Sequence, residues 1–408
     1  MHILDELKER GFIAQVTFED DLYKAMEKEP MTFYLGVDPT ADSLHVGHFI
    51  PILMSAHLQR AGHRPIILCG GGTAMVGDPS GKTELRQMLT PETIQSNVAA
   101  IQKQLSRFID FGEGKAIMAN NADWLLNLNY VDFLRDIGSL FSVNHMLAAE
   151  CYKKRLEVGL TFLEFNYMLM QSYDFLQLFK AHNCRLQIGG DDQWSNMLSG
   201  ADLIRRKERE DAFALTCKLI MTADGKKMGK TEKGALWLDP NRTSPYDFYQ
   251  YWRNVQDADV ERFLGLLTFL PMDEVRRLGA LKDTAINEAK RVLAFEITKL
   301  IHGEAEALKA QDAAQALFGG SGDMGNVPTY EVTAQSLAAD NHLTSLLVEC
   351  GLCASRSEAR KMVQAGAVMV GEDKATDIET RIEAAQIGPD GLLLRKGKKN
   401  YCRLILKK

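Results

Sequence analysis

The amino-acid sequence predicts an α/β protein: a parallel sheet covered by helices, then a helical segment, then a small α+β unit. Three observations carry that prediction. Short apolar runs of strand length recur through the first half of the chain, and longer amphipathic stretches lie between them. Polar, glycine-rich stretches follow several of those runs, at the carboxyl ends of strands where ligands gather in such sheets.

The first predicted strand is TFYLGV at 32–37, with DPTADS behind it. GHFIPILMSAHLQRAG reads as a helix leading to a strand PIILCG at 65–70, and GGTAMVGDPSGK follows. ETIQSNVAAIQKQLSRFIDF is a second helical pattern before the strands KAIMAN at 115–120, RLQIGG at 185–190 and AFALT at 212–216, with GGDDQW after RLQIGG. These segments make one domain of 1–220. From about 245 to 317 the chain is helical and charged, as in DADVERFLGLLTFL and AINEAKRVLAFEITKLIHG, and 221–318 is assigned to a second domain. GGSGDMGNVPT opens a linker, 319–339, because it has too few apolar residues for a core. The last unit, 340–408, holds a helix-like SRSEARKMVQAG, a strand-like AVMV, a turn at GEDK and an apolar run GLLL.

With 408 residues, 46% of them hydrophobic and 25% charged, the chain has the composition of a soluble globular protein of two or three domains. No apolar run approaches the roughly 20 residues of a membrane span, and MHILDELKERGF is too charged for a signal peptide. Seven scattered cysteines make no disulfide framework, which suits a reducing, cytoplasmic compartment. Cys350 and Cys353 form one CxxC with no second pair at zinc spacing, so they read as helix-face thiols. Charge is uneven: of the net −6, residues 341–408 contribute +4 and the first 340 residues −10. A basic end on an acidic protein suits a polyanion such as RNA.

GDPSGKTELR, 77–86, ends like a phosphate-binding loop but lacks its spacing. Such a loop needs glycine, four residues, then Gly-Lys-Ser/Thr, so that successive N–H groups wrap a phosphate. Val76 stands where the first glycine belongs, and Asp78 and Pro79 put a carboxylate and a missing N–H into the nest. In YLGVDPTADSLHVGH, 34–48, His45 and His48 stand three apart near a predicted helix start, where free N–H groups favour phosphate. Gly47 between them lets a base or sugar approach the backbone. No Glu or third His completes a zinc pattern. KKMGKT, 226–231, sets Lys227 and Lys230 around a glycine in a turn after a strand, an arrangement suited to closing on phosphates. Alone, the first window equals two surface histidines and the second a solvated charge run.

Together and in this order, HVGH and KMGKT resemble the His-Ile-Gly-His and Lys-Met-Ser-Lys-Ser signatures of class I aminoacyl-tRNA synthetases. YLGVDPTADSLHVGH, GDPSGKTELR, YMLMQSYDF, LQIGGDDQW and KMGKT are similar to the bacterial tyrosyl-tRNA synthetases, over essentially the whole chain. The resemblance implies a Rossmann-like catalytic domain, a helical domain for the anticodon arm and a small C-terminal RNA-binding domain. It implies L-tyrosine, ATP with accompanying Mg2+ and tRNA(Tyr) as partners, no protein metal site, and a homodimer to which WLLNLNYVDFLRDIGSLFSVNHML could contribute the interface.

By position, the resemblance gives Tyr34 and Asp174 to the tyrosine phenol, Asp78, Tyr167 and Gln171 to its ammonium, and Gln193 to its carboxylate. Tyr167, Gln171 and Asp174, spaced by four and three, share one helix face. Gly36, Asp38, Gly47, Gly190 and Asp192 would face the ribose and α-phosphate of the adenylate. Thr40 and His45 would touch the γ-phosphate, His48 would be a catalytic, ATP-binding residue beside them, and Lys82, Arg86, Lys227 and Lys230 would clamp the leaving pyrophosphate. The loop GDPSGKTELR would then offer a carboxylate at one end and cations at the other. Two positions depart from the wider pattern: Leu35 stands where relatives often carry cysteine, and Gly229 stands where the superfamily has serine. Besides a generic ATPase, which the failed phosphate-loop spacing disfavours, two other readings compete, an RNA-binding protein on a synthetase scaffold and the tryptophan enzyme. The retained signatures argue against the first; Tyr34 with Asp174 argues against the second.

Overall fold

The computed structural model describes residues 1–80, 89–219, 221, 228–231, 234–319, 328–371, 373–388, 391–397 and 400–407. Strands β1 (Ile13–Val16), β2 (Thr32–Val37), β3 (Arg64–Cys69), β4 (Ile117–Asn120), β5 (Cys184–Gly190) and β6 (Phe213–Cys217) form one sheet, in the order β1-β6-β5-β2-β3-β4. All neighbours in it are parallel except β1 and β6. Parallel strands covered on both faces need continuous apolar runs. Phe33, Tyr34 and Leu35 of β2, Ile66, Ile67 and Leu68 of β3, and Phe213, Ala214 and Leu215 of β6 are accordingly all buried.

From β2 the chain builds β3 and β4 on one side, then crosses to build β5 and β6 on the other. The strand order therefore reverses between β2 and β5, which makes the crevice beyond their carboxyl ends the expected ligand site. The helix Phe49–Arg60 that follows β2 is buried from Phe49 to Leu58 apart from a half-buried Pro51. Helices Tyr167–His182 and Trp194–Glu208 pack closely at Gly200, where a Cβ would meet Phe175 Cδ1 at 3.1 Å and Ser172 Cα at 3.5 Å. A short antiparallel hairpin, β7 (Lys230–Thr231) and β8 (Gly234–Ala235), follows the large sheet in sequence.

The chain divides into two compact units, residues 1–244 with 251–301, and residues 245–250 with 302–408. The second carries β9 (Thr329–Thr333), β10 (Val368–Val370), β11 (Asp373–Ala375), β12 (Leu392–Lys396) and β13 (Asn400–Lys407), in the order β11-β10-β12-β13-β9. Only β13 and β9 are parallel. Its core gathers Leu343, Leu346 and Leu347 from one helix, Ala359 and Val363 from another, and Val332, Val368, Leu394 and Leu404 from the strands. Residues 329–339 differ from the sequence reading, which placed them in a linker: they are β9 and the helix Ala334–Ala339. TYEVT alternates strand-forming residues, and the glycine-rich run before it hid that alternation. Cys350 caps the helix Leu343–Glu349, Cys353 lies in the core, and all seven cysteines are free.

Candidate active site

A cavity of about 380 Å³ opens at the switch point of the large sheet. Along it lie Tyr34, Gly36, Asp38, Thr40, His45, Gly47, His48, Asp78, Tyr167, Gln171, Asp174, Gly190, Asp192 and Gln193, which are widely separated in the chain. Lys82, Arg86 and Lys227 lie outside the described residues, and of Lys230 only the backbone, in β7, is described.

One end of the cavity is closed and polar. Tyr34, in the middle of β2, is 1% exposed, and its hydroxyl has no hydrogen-bond partner. Asp174, on the helix Tyr167–His182, is 2% exposed; its Oδ2 accepts from Asn121 Nδ2 at 2.9 Å and its Oδ1 from Trp124 Nε1 at 2.7 Å. Burial pushes the Asp174 carboxyl up to about 7; the Asn121 and Trp124 donors pull the other way, and Asp38 adds a further push upward. Burial, with Asp174 nearby, drives the Tyr34 phenol well above its ordinary value, so it stays protonated. Two further buried acceptors along the same cavity, Gln171 Oε1 and Gln187 Oε1, are also unpartnered. A site holding three orphaned polar atoms is built for a polar ligand, because such groups cost free energy until something pairs with them.

The middle of the cavity is a hydrogen-bonded lattice. Tyr167 donates its hydroxyl to Asp38 Oδ2 at 2.9 Å, and Thr73 donates to Asp38 Oδ1 at 2.8 Å. Gln193 Nε2 donates to Asp78 Oδ2 at 2.8 Å, while the Ser80 N–H donates to Asp78 Oδ1 at 2.9 Å. Tyr167 and Gln193 are thereby held before any ligand arrives. Gly36 is exposed in the centre of an otherwise buried strand, leaving open floor where a side chain would project.

At the far end His45 caps the short turn Val46–His48 that opens the Phe49–Arg60 helix. The Gly47 N–H donates to His45 Nδ1 at 3.0 Å, the His45 N–H donates to His48 Nδ1 at 3.4 Å, and the two rings stack 4.0 Å apart. A Cβ on Gly47 would lie 2.7 Å from the His45 ring, so any larger residue there would displace that ring. The segment after the lysine motif is stitched to this turn: Val46 N–H donates to Leu236 O at 3.0 Å and Leu238 N–H to Leu44 O at 2.9 Å. Gly229 has φ +80° and faces Val46, where a Cβ would come within 3.2 Å. Close approach and a left-handed backbone explain why glycine stands where the superfamily pattern has serine.

Sequence reasoning missed Asn121, Trp124, Thr73 and Gln187. The signal for two of them was present, since NADW directly follows KAIMAN at the carboxyl end of a predicted strand.

The sheet order, the histidine turn at a helix start and the glycine-hinged lysine hairpin define a class I synthetase catalytic unit. Residues 26–319 match the family described as tRNA synthetases class I (W and Y), and residues 322–404 match the Tyrosine--tRNA ligase SYY-like C-terminal domain. The tyrosine--tRNA ligase of Clostridium perfringens (strain 13 / Type A) is 59% identical over 405 residues, 99% of each chain. That of Caldanaerobacter subterraneus subsp. tengcongensis is 59% identical over 407 residues, 100% of each. A C-terminally truncated mitochondrial tyrosyl-tRNA synthetase from Aspergillus nidulans superposes with a TM-score of 0.70 at 30% identity, covering 78% of this chain and 94% of that one. The chain belongs to the tyrosine--tRNA ligase family of class I aminoacyl-tRNA synthetases.

Proposed function

We propose that the protein activates L-tyrosine with ATP and then transfers it to the 3′ end of tRNA(Tyr), with the site residues acting as follows. The observation that carries the reading is the closed end of the cavity, where the unpartnered Tyr34 hydroxyl lies near the buried Asp174 carboxylate. A phenol pairs with both, donating to Asp174 and accepting from Tyr34. Phenylalanine leaves both groups buried without that partner, at a cost of about 1–3 kcal/mol each, and the larger tryptophan ring does not suit the pair.

With the phenol seated there, Asp78, Tyr167 and Gln171 receive the ammonium and Gln193 the carboxylate. A carboxylate oxygen of tyrosine attacks the α-phosphorus of ATP, the bond to pyrophosphate breaks, and tyrosyl-adenylate forms. The terminal ribose hydroxyl of the tRNA then attacks the acyl carbon and AMP leaves. Gly36, Asp38, Gly47, Gly190 and Asp192 face the ribose and α-phosphate. Thr40 and His45 meet the γ-phosphate, His48 contacts the ATP, and Lys82, Arg86, Lys227 and Lys230 hold the departing pyrophosphate. Mg2+ accompanies the nucleotide phosphates. Catalysis is positioning and charge stabilisation in the transition state. His45→Ala or Lys230→Ala therefore lowers the rate of adenylate formation far more than tyrosine affinity.

Residues 221–318 form the lysine loop and anticodon-arm domain in this reading, and 340–408 a basic RNA-binding domain. A homodimer is supported by the exposed Leu126, Tyr130, Val131, Leu134, Val143 and Leu147, a concentration of large apolar side chains in one stretch of chain. A cytoplasmic location is supported by seven free cysteines. Among the described residues no helix is long and apolar enough to cross a membrane.

The test is amino-acid-dependent exchange of labelled pyrophosphate into ATP without tRNA. Exchange with tyrosine alone is expected. Exchange with tryptophan would overturn the pocket assignment, and silence with every amino acid would overturn the activation chemistry.

A further inference from the structure

Gly229, the residue between Met228 and Lys230, is gripped on both sides of its backbone. Its carbonyl accepts from the Leu236 N–H at 2.7 Å, inside the hairpin. Its N–H donates to the hydroxyl of Tyr251 at 3.1 Å, a side chain 22 residues further along the chain. Tyr251 is half-buried and its ring packs edge-on against the fully buried Trp252 at 5.2 Å between centroids, so the hydroxyl is held by a packed neighbour. Burial raises the Tyr251 phenol above its ordinary value and keeps it neutral, free to accept from a backbone donor.

We infer that Tyr251 is a positioning residue for the lysine motif: by holding the Gly229 N–H it fixes the peptide from which Lys230 projects. Lys230 is the next residue, and its backbone already pairs with Ala235. With Gly229 at φ +80° and only its carbonyl side and the following hairpin pair still held, a glycine left without the Tyr251 contact can tilt its preceding peptide more freely than any other residue. Each such tilt would aim the following side chain differently. A cation that stabilises developing charge must be placed to within a fraction of an ångström, so the loss falls on the transition state and not on tyrosine binding.

This inference rests on the reading of Lys230 as a pyrophosphate clamp, and the experiment separates the two. Tyrosine-dependent pyrophosphate exchange is measured for Tyr251→Phe, Lys230→Ala and the double variant, with tyrosine affinity and thermal midpoint determined in parallel. Tyr251→Phe is expected to lower kcat about three- to tenfold, the scale of one lost hydrogen bond, with the tyrosine KM unchanged. In the Lys230→Ala background the same substitution is expected to have no effect, because the residue it positions is gone. If Lys230→Ala lowers exchange but Tyr251→Phe does not, the positioning role is wrong and the clamp stands. If Tyr251→Phe costs as much without Lys230 as with it, or lowers tyrosine affinity in step with kcat, its role is merely structural. If Lys230→Ala leaves exchange intact, the clamp itself is wrong. Should Tyr251→Phe fold poorly, an ester in place of the Met228–Gly229 amide removes the N–H donor while keeping the Tyr251 ring. Its kcat is then expected between those of the wild type and Lys230→Ala, and an unchanged kcat overturns the inference.

Discussion

At the scale of single residues, the Asp174 carboxyl is the group whose environment makes the sharpest demand. If Asp174 accepts from the substrate phenol as proposed, the ionised carboxylate is the stronger acceptor, yet burial pushes this carboxyl up to about 7. Below that pH the empty site carries a proton, and under that proposal its release accompanies tyrosine binding. One linked proton makes tyrosine binding about tenfold tighter at pH 8 than at pH 6, and calorimetric titration at the two values checks it. Asp174→Asn is expected to bind weakly with a flat profile; a flat wild-type profile would sink the argument. The same shift has a stability sign. The folded pKa lies above the unfolded value of roughly 3.9, so the folded state binds more protons between about pH 4 and pH 7. This contribution to stability is present below that window and lost as pH rises through it. Trp124→Phe removes a donor to the ionised form and is expected to raise the midpoint of tyrosine binding by about one pH unit. Tyr34 and Asp174 were named in the sequence through resemblance, and the fold brings both to one cavity. Asn121 and Trp124 carry no signature of their own, because they act on a side chain 50 or more residues away that only the sheet brings near.

At the scale of elements, the strands were legible because burial on both faces writes them as unbroken apolar runs. TFYLGV is β2 to the residue, and RLQIGG and AFALT each sit within one residue of β5 and β6. β1 was not legible: IAQV is a short antiparallel edge whose apolar run is broken by Gln15, where its register is also irregular. Close helix packing is equally silent in sequence, since Gly200 reads there as a weakness in a helix. In the fold it is the contact that seats Phe175, whose ring lies 5.2 Å from that of Tyr34. Gly200→Val is therefore expected to cost about 1–3 kcal/mol by overpacking, read from chemical denaturation. Because the displaced ring is Phe175, tyrosine affinity should fall as well. Loss of stability with tyrosine binding intact would mean that Phe175 does not support the phenol pocket.

At the scale of the whole molecule, charge and chemistry are divided along the chain. The residues proposed to face the adenylate all belong to the first compact unit, while twelve Lys/Arg against eight Asp/Glu stand in residues 341–408. Activation needs no RNA, so the two activities should separate on truncation. Because β9 begins at Thr329 and pairs with β13 along its length, the cut must fall before Thr329; a later one would strip a strand from its sheet. A chain ending before Thr329 is expected to exchange pyrophosphate with tyrosine within twofold of the full chain, and to lose aminoacylation of tRNA. Contacts to phosphates also release counterions, so the full chain's KM for tRNA should rise steeply from about 50 to 200 mM salt, while its tyrosine KM stays level. If the truncated chain still charges tRNA at low tRNA concentration, the C-terminal sheet is not what holds the RNA. Loss of exchange as well would instead mean that the catalytic unit needs the C-terminal sheet to hold its own fold.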